Sequence, residues 1–456
     1  MTGCAAVILA AGLGKRMRSA VPKPLHRVAG RPMIAYAVDA VREAGADRIV
    51  VVLGHGAEAV RAVLPVDVEV AIQEEPRGTA DAVLAARSLL AADQTVGDIL
   101  VTNGDSPLVT GEVLGRLIDR RRTTGATLAL VVSPAPDPRG YGRVLRDGEG
   151  RVRAIVEEAA ASPAERAIRE INAGIYTFAA PWLWSHLPEV PRSASGEFYL
   201  TDVVELATRT GGAVQSVEAP LEMCAGVNDR IQLSDAERAL RDRIRRALML
   251  AGVTLVDPAS TFVDATVAIG SDTVILPGTS IGGATRIGSG CRIGPHSYIA
   301  DSDIGDDAVV LMSVVEQAIV ERGARLGPFS HLRPGARLGA GAELGNFGEV
   351  KNATLGPGTK MHHFSYIGDA EIGANVNIAA GTITCNYDGE TGEKHRTIIE
   401  DGVLLGSDTL LVAPVRLGRD AVTGSGAVVT HDVEPETLVI GVPARPARKR
   451  KRVTSG

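Results

Sequence analysis

From Ile269 onward a branched aliphatic residue recurs at every sixth position: Ile269, Ile275, Ile281, Ile287, Ile293 and Ile299, four of the six directly followed by glycine. The same step returns at Leu326, Leu332, Leu338, Leu344 and Val350, at Leu355, Met361 and Ile367, and at Leu405, Leu411 and Leu417. Such a period suits a coil in which each short strand sends one aliphatic side chain inward and then turns, with glycine or another small residue allowing the bend. Coils stacked about 4.8 Å apart bury the aliphatic column continuously. The second half is therefore expected to be a parallel β-helix, a prism that explains both the 52 glycines and the scarcity of aromatics, 3%. The pattern breaks at 386–397, NYDGETGEKHRT, which reads as a loop ejected from the prism, and such interruptions often carry binding residues.

The first half has a different rhythm. Up to residue 228, β-branched runs at 5–10, 47–54, 68–73, 98–105 and 126–132 alternate with helical stretches at 32–44, 56–64, 78–92 and 110–123. Continuous apolar strands separated by helices predict a parallel sheet covered on both faces, an α/β domain that binds ligands at the carboxyl ends of its strands. Residues 229–252 read as a charged connecting helix, 253–438 as the β-helix and 439–456 as a basic tail.

Composition narrows the function classes. A formal charge of −6 supplies no general basic field, and few aromatics leave few stacking platforms, so no nucleic-acid partner is expected. Cys4, Cys224, Cys291 and Cys385 stand far apart, which indicates neither a zinc site nor a disulfide framework. With no signal-like N-terminus and no run of about 18 apolar residues, the expectation is a cytoplasmic protein without a membrane partner.

The stretch LAAGLGKRM, residues 9–17, follows the first strand, and Pro22-Lys23-Pro24-Leu25 comes soon after. It is neither a dinucleotide fingerprint, since Met17 replaces the third glycine, nor a P-loop. Its backbone amides can still approach an anion, with Arg16 and Lys23 within reach of a polyphosphate. The segment resembles the signature of sugar-1-phosphate nucleotidylyltransferases. Further segments repeat the match in order: Gln73 with Gly78-Thr79, NGDSPL at 103–108, GYGR at 140–143, Val156-Glu157, INAGI at 171–175 and GVN at 226–228. With the hexapeptide half, the chain resembles nearly throughout the bacterial bifunctional N-acetylglucosamine-1-phosphate uridyltransferases and glucosamine-1-phosphate N-acetyltransferases. That resemblance implies a Rossmann-like nucleotidyltransferase domain followed by a left-handed parallel β-helix of hexapeptide repeats.

It also implies two sites. In the first, UTP and N-acetylglucosamine-1-phosphate react with release of pyrophosphate. Arg16 and Lys23 would stabilise the phosphates, Asp105 and Asn228 would ligate Mg²⁺, and Leu9, Ala10, Ala11, Gly12, Lys23, Gln73, Gly78, Thr79, Asn103, Gly104 and Asp105 would contact the nucleotide. Gly142, Glu157, Asn172 and Asn228 match the sugar contacts. In-line phosphoryl chemistry needs such cation and metal clamps more than a base. Asp81 stands where the family commonly has histidine, Asn103 replaces a common tyrosine, and the lysine that often follows Val-Glu is missing.

The second site would acetylate glucosamine-1-phosphate from acetyl-CoA, which requires a base for the ammonium proton and donors for the thioester oxyanion. The resemblance places the base at His363, oriented by Glu349, with Arg333, Lys351, Tyr366, Asn377 and Lys394 holding the sugar phosphate. Ala380, Asn386, Tyr387, Ser407 and Ser425 fall along the expected coenzyme groove, and His362 is peripheral. The family's basic coenzyme contact near the end appears as Gly441, and part of the basic run 448–452 could meet the coenzyme phosphates instead. The resemblance further implies a homotrimer. Two alternatives are a monofunctional nucleotidylyltransferase with a structural β-helix, and a non-catalytic regulatory subunit of the same architecture.

Overall fold

The computed structural model describes residues 3–54, 56–193 and 196–449. It divides into two compact units, with the division between Leu240 and Arg241. That point lies inside a helix spanning Arg230–Leu250.

The first unit is built on one twisted sheet. Its strands run, edge to edge, Val214–Glu218, Leu128–Pro134, Glu170–Ala179, Val96–Asn103, Gly3–Ala10, Arg48–Leu53 and Glu69–Ile72. All pair in parallel except Glu170–Ala179, which runs antiparallel to both neighbours. This strand is the main departure from the parallel sheet expected. A register shift between Asn172 and Tyr176, with Gly174 at φ 72°, hides its alternation. The strands Arg143–Arg146 and Val152–Val156 add a hairpin beside it. Alternation of side chains along Gly3–Ala10 serves two cores. Ala5 and Val7 face a cluster with Val83, Leu183 and Val203; Cys4, Ala6 and Ile8 face another with Ile34, Val38, Leu114 and Leu117.

The second unit is the hexapeptide β-helix. Its three faces are parallel sheets of 12, 10 and 9 strands, closed at the end of the first by one antiparallel strand, Arg445–Lys449. The aliphatic column predicted from the sequence is the core, with Ile275, Ile293, Ile299, Leu332, Leu355 and Leu411 all buried. Ile304, Val310, Val315 and Val320 continue it where the six-residue step lapses. The reason lies at the corners. Each five-residue step, such as Ile299 to Ile304 or Val350 to Leu355, turns through one left-handed non-glycine residue: Asp301, Met312, Gln317, Asn352 or Asp369, at φ 41–49°. In these steps the left-handed residue stands two places after the inward one, whereas in six-residue steps such as Ile304 to Val310 and Leu344 to Val350 it stands three places after, at Asp307 and Phe347. The corner is thus one residue shorter, and the column stays in register while the sequence period slips.

The ejected loop departs after Ile383–Cys385 and returns at Thr397–Ile399, closed by a bridge between Tyr387 and Lys394. At the far end, Thr437–Ile440 pairs antiparallel with Arg445–Lys449, so strand structure runs past residue 438 into the segment expected as a tail. Residues 450–456, which hold the rest of the basic run, lie outside the described residues. No helix of the described residues is long and apolar enough to cross a membrane.

Candidate active sites

In the first unit the strands Gly3–Ala10 and Val96–Asn103 are neighbours, with Leu9 opposite Asn103. Their carboxyl ends therefore bring Ala11-Gly12 beside Gly104-Asp105, and the Gly104 amide donates to the Leu9 carbonyl at 2.9 Å. A Cβ on Gly104 would lie 3.2 Å from that of Ala10, so these two positions form the packed base of the site. The Gly226–Asn228 loop joins through the Val227 amide, which donates to the Asp105 carbonyl at 2.9 Å. Lys23, on a short 3₁₀ turn at Lys23–Leu25, completes the meeting point. Its ammonium contacts the Asp105 carboxylate and donates to Asn228 Oδ1 at 2.9 Å. Gly14 makes this approach possible: at φ 58° a Cβ there would stand 2.8 Å from Lys23 Cβ.

Asp105 and Asn228 thus aim two hard oxygens at one point already taken by a cation. The Lys23 side chain is only 12% exposed and that of Asp105 22%, so the attraction is weakly screened. This donor set fits Mg²⁺, which favours carboxylate and amide oxygens and keeps several waters. Among the described residues no group of three or more His, Cys, Asp or Glu could hold a metal. An ion held by Asp105 and Asn228 would therefore draw its remaining ligands from water and phosphate.

Three adjoining cavities, of about 250, 390 and 350 Å³, open around this point. Leu9, Ala11, Gly12, Gln73, Gly78, Thr79, Asn103 and Asp105 line the first. Lys15, Arg16, Lys23 and Asn228 line the second. Arg16 makes no ion pair with any described residue, which leaves its guanidinium available to an anion. Gly78 is forced: at φ 117° a Cβ would lie 2.7 Å from the Phe198 nitrogen. Thr79 Oγ1 accepts from the Leu200 amide at 2.9 Å, knitting the segment to 197–200. That segment contributes Glu197 and Tyr199 to the cavity wall, two residues missed from the sequence. The only signal was an adjacent Phe198-Tyr199 pair in a chain poor in aromatics.

Three of the four sugar-matched residues, Gly142, Glu157 and Asn172, also gather. The Asn172 amide donates to the Gly142 carbonyl at 2.9 Å, and a Cβ on Gly142 would sit 3.7 Å from the Glu157 carboxylate. Glu157 accepts from Thr201 Oγ1 at 2.9 Å, and Asn172 Nδ2 donates to the Tyr176 hydroxyl at 2.6 Å. Burial, then the charges of Glu157 and Glu205, raise the Asp202 carboxyl above its usual range.

In the second unit, stacked coils place Glu349 beside Tyr366 on one face, with Lys351 beside Gly368. Arg333 ion-pairs with Glu349 at 2.8 Å. Lys394, from the ejected loop, and Arg333 hold the Lys351 ammonium below the usual lysine range. Three cations thus crowd one patch, an arrangement that suits a phosphate dianion. The Tyr366 hydroxyl and Asn386 Nδ2 both crowd over Gly368, the latter 2.9 Å from where its Cβ would be. Asp369, also missed from the sequence, binds the Asn386 and Asn352 amides. Burial works to raise its carboxyl, but those amides and the Lys394 and Lys351 charges outweigh it and hold it low.

His363 lies at a corner rather than on that face. Its neighbour Phe364 accepts from the Gly381 amide at 2.8 Å; below, the Asp408 amide donates to the Ala380 carbonyl, and the Gly426 amide to that of Ser407. His363, Ala380, Ser407 and Ser425 thus follow one edge of the prism. Glu349, expected to orient His363, pairs across coils with Tyr366, three residues beyond His363, and is ion-paired with Arg333 through one carboxylate oxygen. His362 Nε2 pairs with the Glu343 carboxylate at 2.8 Å. Asn377 is on the neighbouring face, paired with Lys360, and is not brought to the cation patch. Tyr387 is exposed on the loop.

Comparison with known proteins supports both halves. A MobA-like NTP transferase domain model matches residues 6–185, and a bacterial transferase hexapeptide model of six repeats matches residues 266–301. A relative from Trichlorobacter lovleyi named bifunctional protein GlmU is 47% identical, over 96% of this chain and 95% of its own length. Proteins of the same name from Syntrophomonas wolfei and a Geobacillus species are 46% and 45% identical, over 95% and 98% of this chain and 96% and 97% of theirs.

Proposed function

Because this chain belongs to the family of the bifunctional protein GlmU, we propose that its two sites act in succession on one sugar. The second unit transfers an acetyl group from acetyl-CoA to glucosamine-1-phosphate. The first then joins the N-acetylated product to the uridylyl group of UTP, releasing pyrophosphate. The observation that carries the first assignment is the convergence of Lys23, Asp105 and Asn228, from three separate loops, beside the Gly12–Arg16 turn.

In nucleotidyl transfer a phosphate oxygen of the sugar attacks the α-phosphorus of UTP in line, and the pyrophosphate oxygen leaves. Mg²⁺ held by Asp105 and Asn228 would supply positive charge against the phosphates. The chain's own groups do the rest. Arg16 and Lys23 meet the phosphate oxygens where charge accumulates on the leaving pyrophosphate, and the backbone around Gly12 approaches them closely because it lacks a side chain. Gln73, Gly78 and Thr79 hold the base, while Gly142, Glu157 and Asn172 hold the acetylated sugar on the other side.

In acetyl transfer Arg333, Lys351 and Lys394 anchor the sugar phosphate, and Tyr366 and Asn386 fix the amino group. His363 takes the ammonium proton, the freed amine attacks the thioester carbon, and coenzyme A leaves as its thiol. Ala380, Ser407 and Ser425, along the edge below His363, line the path of the coenzyme. We further propose that the protein works as a cytoplasmic homotrimer. Support comes from His363 at the prism edge and Asn377 on the neighbouring face, both exposed and without a side-chain hydrogen bond among the described residues.

One coupled assay separates the readings. With glucosamine-1-phosphate, acetyl-CoA, UTP and Mg²⁺, the bifunctional enzyme yields both free thiol and pyrophosphate. A monofunctional nucleotidylyltransferase yields pyrophosphate only from a sugar phosphate supplied ready-made, and a regulatory subunit yields neither.

A further inference from the structure

Gln73 is 7% exposed and lines two of the three cavities. Its backbone amide is pinned to the Leu53 carbonyl at 2.8 Å, so the side chain has a fixed root. Nε2 donates to the Gly78 carbonyl at 3.0 Å and to Asp81 Oδ2 at 2.8 Å. Both partners are acceptors only, and an amide nitrogen has two hydrogens. The pair therefore consumes both donors and leaves Oε1 as the polar atom Gln73 can turn to a ligand. The reversed amide would set Oε1 against a carbonyl and a carboxylate. Asp81 is itself held: its other oxygen accepts from Arg77 Nη2 at 3.0 Å, and its side chain is only 13% exposed.

We propose that Asp81 is a positioning residue that locks Gln73 with its carbonyl oxygen toward the base, where that oxygen meets the imide N–H of uracil. Uracil and thymine present a donor at N3, whereas cytosine presents a lone pair there. A buried acceptor facing a lone pair is left unpaired, which a hydrogen-bonding pocket penalises strongly. The inference rests on the nucleotidyl-transfer reading of this unit and adds to it the residue that fixes the orientation of Gln73. It also gives a task to the position where histidine is commonly found in similar sequences.

The test compares kcat/KM for UTP and CTP in the full chain, with N-acetylglucosamine-1-phosphate as acceptor. The unaltered enzyme is expected to favour UTP by at least about a hundred-fold. In Asp81→Ala one of the two acceptors is gone, and the UTP:CTP ratio is expected to fall by about ten-fold or more, with UTP turnover decreasing and CTP turnover rising. Asp81→Asn keeps an oxygen for Gln73 Nε2 and should restore most of the ratio; Arg77→Ala, whose side chain is half in solvent, should leave it near the starting value. A ratio unchanged in both Asp81 variants, or equal losses with both nucleotides, overturns the proposal while UTP turnover upholds the reading beneath it. Absence of UTP turnover in the unaltered enzyme overturns both.

Discussion

Replacing Asp105 with alanine should have two separable effects. In the folded protein the Lys23 ammonium, 12% exposed, is held by one carboxylate and one amide oxygen. Removing the carboxylate leaves a largely buried cation with a single neutral partner, at a cost of about 1–3 kcal/mol. For a domain of this size each kcal/mol moves Tm by about 2–4 °C, so a fall of about 2–12 °C is expected. The double variant Asp105→Ala/Lys23→Met removes the stranded charge as well and should recover at least half of that loss. Both tryptophans, Trp182 and Trp184, belong to the first unit, so tryptophan fluorescence during urea or thermal unfolding reports that unit alone. Pyrophosphate release should drop by about a hundred-fold or more in both variants, with thiol release from acetyl-CoA unchanged. If the double variant loses stability equal to the sum of the two single losses, Lys23 and Asp105 are not a coupled pair. If thiol release falls too, the two sites are not independent.

His363→Ala should abolish thiol release yet leave uridylyl transfer from pre-acetylated sugar phosphate intact, as a pyrophosphate assay would read. Because Lys394 and Arg333 depress the Lys351 ammonium, glucosamine-1-phosphate affinity should decline as alkaline pH removes that charge. In Lys394→Gln the decline should move to higher pH, measured by KM across the pH range. Leu332→Ala, at a fully buried position of the aliphatic column, should cost about 2–5 kcal/mol. Its unfolding should be seen by circular dichroism at a temperature where the tryptophan signal is still native.

The β-helix was legible because each inward position repeats one physical demand, a branched aliphatic side chain against the coil above. Where the demand is met with a shorter corner, as before Ile304, Val315 and Val320, the period slips and the sequence pattern no longer marks the residues although their burial is the same. In the first unit five parallel strands are readable as apolar runs, while the parallel edge strand Val214–Glu218 and the antiparallel Glu170–Ala179 are not. In the latter a register shift at Gly174 interrupts the alternation that marks a strand. Lys23, Asp105 and Asn228 could be named from motifs, but their meeting depends on strand order and on the 226–228 loop, which no spacing encodes. Thr201 reaches Glu157 by a contact across the fold, with no local pattern to announce it.

Both sites occupy places where a regular pattern ends, for a common reason. Within the repeat, inward positions are consumed by packing and the backbone polar groups by the next coil. Only outward positions beside a break can gather groups from several coils without disturbing the column, and the ejected loop supplies one: it brings Lys394 to Lys351 and Arg333, and Asn386 to Asp369. In the sheet the break is the end of each strand: Gly12 and Asp105 leave the ladder from neighbouring strands, and Gln73 from a parallel strand one further across, beyond Arg48–Leu53. Asp81 extends the same logic by one bond. It touches no predicted substrate position, yet by accepting one amide hydrogen it decides which atom of Gln73 faces the cavity.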